Sequence, residues 1–251
     1  MSTLNKWDEG SVRVVELNRP EKRNALNAEL IADLSTALSE ADQSTSVRAL
    51  VIRGAGSDFC SGADLSELQK ISEYSYEENV ADALRLADLF QKIRGLSIPV
   101  IAAVHGRALA GGCGLATACD IVLAAKSARF GYPEVKIGFV PAMVAAILRR
   151  NLSEKQSFEL LTQGFEYSAD EALALGLINH VIDDEGFATA VIEYASRYRR
   201  VSGSAVEMTK RLLYGIDGLD FPAALKMGAE TNANARLSDD CKKGIAKFLE
   251  K

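Results

Sequence analysis

Histidine, cysteine and basic clusters are scarce in this chain, and each scarcity narrows its chemistry. There are two histidines, His105 and His180, and four cysteines, Cys60, Cys113, Cys119 and Cys241, with no C-x-x-C pair among them. That set suits no zinc site, and no metal is expected. The cysteines read as reduced, mostly buried thiols. Lys and Arg total 29 against 34 Asp and Glu, for a net charge of −5, and no basic run is interleaved with aromatics. Nucleic acid and anionic membranes are therefore poor partners. No apolar run approaches the roughly 18 residues of a membrane span. The opening M-S-T-L-N-K-W-D-E-G has no apolar core of signal-peptide length and carries acids that a transit peptide avoids. The cytoplasm is the expected location. No G-x-G-x-x-G follows a strand, and there is no G-K-[ST] loop or G-x-S-x-G elbow, which removes dinucleotide, nucleotide-hydrolase and serine-hydrolase readings.

What is present is an ordinary globular balance, 48% hydrophobic and 25% charged over 251 residues, enough for a substantial core. Residues 12–18 read as a strand that Arg19-Pro20 ends. Asn27 then caps a helix whose Leu30, Ile31, Leu34, Leu38 and Ala41 share one face. A short buried strand at 49–53 leads into a loop at 54–62, rich in Gly, Ser and Asp. Residues 79–96 have helical spacing, Pro99 precedes a strand at 100–105, and another strand follows at 121–125. Strand and helix alternate, which predicts an α/β fold with parallel pairing. Beyond about residue 141 the pattern is almost wholly helical, with helices expected at 142–150, 153–161, 169–175, 187–200, 205–214, 221–237 and 238–249. Ser168 and Ser238 read as N-caps. Cys241 stands three residues after Ser238, so no capping box forms there. Residues 1–190 read as the core and 191–251 as a helical region of the same domain.

The densest local signal is A-A-V-H-G-R-A-L-A-G-G-C-G-L-A-T-A-C-D, residues 102–120. A strand runs into Gly111, Gly112 and Gly114 at the start of a small-residue helix. Free N–H groups and the positive end of the helix dipole meet there, a geometry suited to a developing oxyanion. Glycine in a helix costs roughly 1 kcal/mol against alanine, so the cluster needs a reason. Close approach of a ligand is one; tight packing of helix on strand is the other.

Three stretches join that motif: N-R-P-E-K-R-N-A-L-N (18–27), C-S-G-A-D-L (60–65) and F-G-Y-P-E (130–134). With A-C-D-I (118–121) and the ending G-I-A-K-F-L-E-K (244–251), the set resembles the crotonase superfamily, the enoyl-CoA hydratase/isomerase family, over nearly the whole chain. The resemblance implies a spiral of ββα turns followed by a helical C-terminal trimerisation region, in a homotrimer or homohexamer. It also implies an acyl-CoA thioester substrate, with coenzyme A part of that substrate and no metal or redox cofactor.

By that resemblance, the backbone N–H groups of Ala63 and Gly111 form the oxyanion hole, and Glu134 is the acid/base. Lys22, Arg23, Ala25, Asp64 and Leu65 would lie against the CoA portion, with Lys22 and Arg23 facing phosphates. Tyr132 and Phe139 would line the acyl pocket or else pack in the core, and residues 70–79 would cover the acyl group. The family's hydratases carry two glutamates; the first would stand where this chain has Gly114, which would itself lie against the substrate. A single acid resembles the isomerases that move a double bond between positions 3 and 2 of an enoyl-CoA. Hydration of 2-enoyl-CoA, with Asp64, Asp82 or Glu78 entering from a mobile segment, is the alternative. A non-catalytic acyl-CoA-binding protein is another. His105 and His180 are expected to be structural, and Cys113 no nucleophile without a paired base.

Overall fold

The computed structural model of the protein describes residues 2–250, apart from the side chains of Leu65, Ser66 and Leu68. Its first turn is a hairpin, β1 (Leu4–Glu9) antiparallel to β2 (Val12–Leu17), closed at Gly10 with φ 63°. Helix α1 (Ala28–Gln43) returns the chain to β3 (Ala49–Gly54), parallel to β2. Helices α2 (Leu65–Ile71) and α3 (Tyr76–Gly95) precede β4 (Val100–Val104), and β5 (Arg107–Leu109) leads into α4 (Gly111–Ala118). The next turn repeats this with β6 (Ile121–Ala125), β7 (Arg129–Gly131), α5 (Ala142–Asn151) and α6 (Glu154–Gln163). Then follow β8 (Glu166–Ser168), α7 (Ala169–Leu175), β9 (His180–Ile182), α8 (Phe187–Ser196), α9 (Gly203–Gly215), α10 (Phe221–Leu237) and α11 (Asp239–Leu249).

The strands form two sheets. The larger has the order β1-β2-β3-β4-β6-β9 and is parallel from β2 onward; the smaller is β5-β7-β8. Two successive turns therefore send one strand to each sheet before the helix, which is the expected ββα spiral. Strand β4 explains why the large sheet is apolar on both faces. Val100, Ala102 and Val104 face the main core with α1, α3 and α4, while Ile101 and Ala103 join a second cluster under α8. A strand buried on both faces reads as a continuous apolar run.

Local chemistry places the helix starts. The Asn27 side chain accepts from Leu30 N–H at 2.9 Å. Ser75 and Glu78 make a reciprocal capping box, so α3 begins at Tyr76, three residues before its apolar spacing becomes visible. Ser168 makes a box with Glu171, and Ser238 caps α11 without one.

Several expectations need correction. β1 pairs along a polar edge (L-N-K-W-D-E) that shows no alternation, because it covers the sheet rim rather than core. β8 and β9 interrupt the part read as almost wholly helical. The helix expected at 187–200 ends at Ser196, and Arg197–Arg200 is a 3-10 turn. A division at residue 190 falls inside α8, whose Val191 and Ala195 are buried against the sheet.

The helical tail is held by one buried cluster. Lys210 on α9 is 7% exposed and donates to Ile93 O, Ile98 O and Asp120 Oδ2 at 3.0, 3.1 and 2.8 Å. Asp120 also accepts from Val100 N–H at 2.7 Å and from the Tyr214 hydroxyl at 2.5 Å. The aspartate of A-C-D-I thus fastens α9 to β4. Among the described residues no helix is long and apolar enough to cross a membrane, and no group of three or more His, Cys, Asp and Glu could hold a metal ion.

Candidate active site

Two loops are clasped together to present the first amide. Arg23 and Asn24 adopt left-handed backbone, φ 50° and 55°, after a 3-10 turn at Pro20–Lys22. The buried Asn24 amide donates to Ala55 O and Asp58 O, both at 2.8 Å, and accepts from Arg19 N–H at 2.9 Å. Arg19 pairs with Asp64 at 2.6 Å and also donates to Ala25 O. Leu26 then donates to Gly62 O at 2.7 Å and accepts from Asp64 N–H at 2.9 Å. Leu26 thereby bonds on both sides of Ala63. In parallel pairing the residue so straddled turns its own N–H to the other side. Among the described residues that N–H has no acceptor.

The second amide opens α4. Ala110 is its N-cap, at φ 51° and ψ −128°, and is held by donation to Gly131 O at 2.8 Å. The first bond within the helix runs from Gly114 N–H to Ala110 O, so that among the described residues Gly111 N–H has no acceptor at the positive end of the helix.

The three glycines separate by role. A Cβ at Gly112 would lie 2.2 Å from Cys60 O, and one at Gly114 would lie 2.4 Å from Val144 Cγ1. Both are packing glycines. A Cβ at Gly111 would meet only Leu26 Cδ1 at 3.4 Å and Leu86 Cδ2 at 3.7 Å, so this glycine is the one the cavity reaches. Tight packing therefore accounts for Gly112 and Gly114, while Gly111 faces the cavity.

Ala63, Ala110, Gly111 and Glu134 line a cavity of about 610 Å³ whose walls are largely apolar, with Leu26, Ile31, Leu86, Val140 and Met143 among them. Glu134 enters from a 3-10 turn, Pro133–Ile137, that Gly138 closes at φ 80° and Phe139 N–H clamps by donating to Glu134 O at 3.0 Å. Its Oε2 is buried with no hydrogen-bond partner among the described residues. Burial pushes its carboxyl above the ordinary glutamate range. Two other acids line the outer wall, each beside a cation: Glu67 with Lys70 at 3.0 Å, and Asp82 with Arg85.

Of the residues singled out from the sequence, Ala63, Gly111, Glu134 and Phe139 meet at this cavity. Lys22 and Arg23 are exposed on the preceding 3-10 turn, and Ala25 is buried behind it. Asp64 is tied to Arg19. Leu65 opens α2, and its side chain lies outside the described residues. Tyr132 does not line the cavity: it is fully buried, 3.3 Å from the Thr117 hydroxyl. Gly114 does not line it either, since Val144 and Phe90 cover it. Of the three substitute acids, only Asp82 reaches the wall; Glu78 serves the α3 cap. Glu67 was not legible because no pattern marks α2. His105 Nε2 sits 3.0 Å from Gly56 O, and the His180 ring packs tilted against Tyr194, 5.4 Å between centroids. Burial pushes the Cys60 and Cys113 thiols up to about 12, so neither is a thiolate nucleophile near neutrality.

The chain matches the family described as enoyl-CoA hydratase/isomerase over residues 8–251. A Thermus thermophilus relative is 40% identical over 244 residues, 97% of this chain and 96% of its own length. The short-chain-enoyl-CoA hydratase of Clostridium acetobutylicum is 32% identical over 245 residues, 97% of this chain and 93% of its own. Among solved structures, an enoyl-CoA hydratase of Mycobacterium smegmatis superposes with a TM-score of 0.94 at 33% identity, over 100% of this chain and 97% of the other.

Proposed function

We propose, for a chain that belongs to the enoyl-CoA hydratase/isomerase family, that this enzyme isomerises 3-enoyl-CoA to 2-enoyl-CoA with Glu134 as its proton carrier. The thioester oxygen sits between the N–H groups of Ala63 and Gly111. Glu134 takes a proton from C2, and the electrons of that C–H bond move into a dienolate whose charge rests on the held oxygen. The same carboxyl returns the proton to C4, leaving the double bond between C2 and C3 at unchanged mass. A carboxyl raised toward neutrality suits both halves of this transfer. The CoA portion lies across the 3-10 turn, where the exposed Lys22 and Arg23 meet its phosphates. No other cofactor is needed.

The observation that carries this reading is the unpartnered, buried Oε2 of Glu134, in a cavity that offers two free amides and no second carboxylate at position 114. A second reading, hydration of 2-enoyl-CoA, is favoured by the name of the Clostridium acetobutylicum relative and by Asp82 and Glu67 on the outer wall. Purified protein incubated with matched 2-enoyl- and 3-enoyl-CoA esters decides between them by chromatography and mass spectrometry. Isomerisation gives interconversion without mass change; gain of one water on the 2-enoyl esters contradicts it. Binding without turnover on either series returns the non-catalytic alternative. A homotrimer or homohexamer accompanies this reading, supported by the exposed Phe221, Leu225 and Phe248 of the last two helices, and light scattering tests it.

A further inference from the structure

We propose that Val144 is a specificity-determining residue: with Phe90 it walls off position 114 and closes the site to a second carboxylate. A Cβ at Gly114 would lie 2.4 Å from Val144 Cγ1, 3.0 Å from Phe90 Cζ and 3.3 Å from Phe90 Cε2. Carbon atoms rest at about 3.5–4.0 Å, so the first contact is a full clash. Val144 and Phe90 are each 4% exposed, and Val144 borders the cavity only on its far side from Gly114. Valine in a helix is also held near one χ1 rotamer.

The place of this contact gives it consequence. Gly114 lies one residue past Cys113 on α4, the helix whose first N–H faces the cavity. Val144 lies on α5 and lines the same cavity as Glu134. The wall between α4 and α5 is therefore hydrocarbon, contributed by α3 and α5. A glutamate at 114 would have to displace Val144 and place its carboxyl among carbon atoms, where an unpaired charge is costly. The missing acid is thus more than an absent side chain: the space it would need is filled. A water beside Glu134 finds no polar partner on this wall, so proton transfer is favoured over water addition. The steric part of this proposal stands alone; the direction of the activity change rests on the isomerisation reading above.

The test is a double-mutant cycle of Gly114→Ala and Val144→Ala, read by urea unfolding. The cycle cancels the helical preference of alanine over glycine. Gly114→Ala should shift unfolding far more in the wild-type background than beside Val144→Ala, with a coupling of roughly tenfold in the equilibrium constant, the scale for side chains in contact. Additive effects would overturn the proposal. The second readout compares Gly114→Glu alone with Gly114→Glu/Val144→Ala on 2-enoyl-CoA. Hydration should be at least about tenfold faster in the double variant, as expected when a second positioned acid becomes usable. Equal hydration in the two would also overturn it. If the coupling is found while wild-type protein leaves 3-enoyl esters unchanged, the isomerisation reading fails and the wall stands.

Discussion

A single methyl at residue 112 should separate the two amides, of Ala63 and Gly111, that we propose hold the thioester oxygen. The Cβ of Gly112→Ala would lie 2.2 Å from Cys60 O and 2.8 Å from both Cys60 C and Cβ. The carbonyl atoms are backbone, fixed on one side by Cys60 N–H donating to Arg107 O at 3.1 Å and on the other by Leu109 N–H donating to Cys60 O at 3.0 Å. Relief therefore requires the start of α4 and the 60–63 segment to part by about 1 Å, given ordinary contact distances. Residue 112 adjoins Gly111, and Cys60 lies three residues before Ala63, so the displacement falls on the oxyanion hole itself. A misplacement of about 1 Å costs on the order of 10²-fold in rate. Overpacking costs about 1–3 kcal/mol of stability, of which alanine's helical preference returns about 1 kcal/mol. Steady-state kinetics should show kcat down about 100-fold with KM moved much less, because the hole acts chiefly in the transition state. Thermal unfolding establishes that the variant is folded. Gly95→Ala, which meets nothing within 4 Å, is the control. A folded Gly112→Ala enzyme with wild-type kcat would refute the placement of the hole.

Other consequences follow from the buried groups. Glu134 has a folded carboxyl pKa raised by burial, so its contribution to stability is present at low pH and lost as pH rises through the raised range. Glu134→Gln should therefore be more stable than wild type at neutral pH and gain little in acid, as urea melts at both would show. For the same reason, the rate should fall on acidification at a higher pH than an ordinary glutamate would give, a limb readable in kcat/KM against pH. Lys210→Met leaves the buried Asp120 without its cation and should cost about 3–5 kcal/mol in calorimetric unfolding; a loss under about 1 kcal/mol would mean that Asp120 re-pairs. Asn24→Ala removes three hydrogen bonds and leaves Ala55 O and Asp58 O unpaired, for a loss of about 2–3 kcal/mol and a lower kcat as the loop before Ala63 loosens.

Elements with strong local causes were legible from the sequence. Asn27, Ser168 and Ser238 each cap the helix assigned to them, and the apolar runs at 100–105 and 121–125 form strands of the large sheet. Elements whose cause is tertiary were not. β5, β7 and β8 are three residues each and exist only because they pair with one another across the chain. Ala110 shows the same limit within the site: its φ of 51° is held by Gly131 O from another turn of the spiral, and nothing at Ala110 itself announces it. Tyr132 is close to Glu134 in sequence, yet it precedes the 3-10 turn Pro133–Ile137 that redirects the chain, and the tyrosine faces Thr117 and Cys113 while Glu134 faces the pocket. Gly114 was visible as a missing acid, but that Val144 fills its space depends on how α4 meets α5.

The most direct measurement is the rate of double-bond migration in 3-enoyl-CoA by wild-type protein and by Glu134→Gln, with CoA-ester binding measured alongside. The wild type should convert the 3-enoyl to the 2-enoyl ester, and the variant should be slower by roughly 10²–10⁴-fold, the usual worth of a positioned acid/base, with binding retained. A Glu134→Gln enzyme that binds and turns over at the wild-type rate would contradict the assignment of proton transfer to this carboxyl.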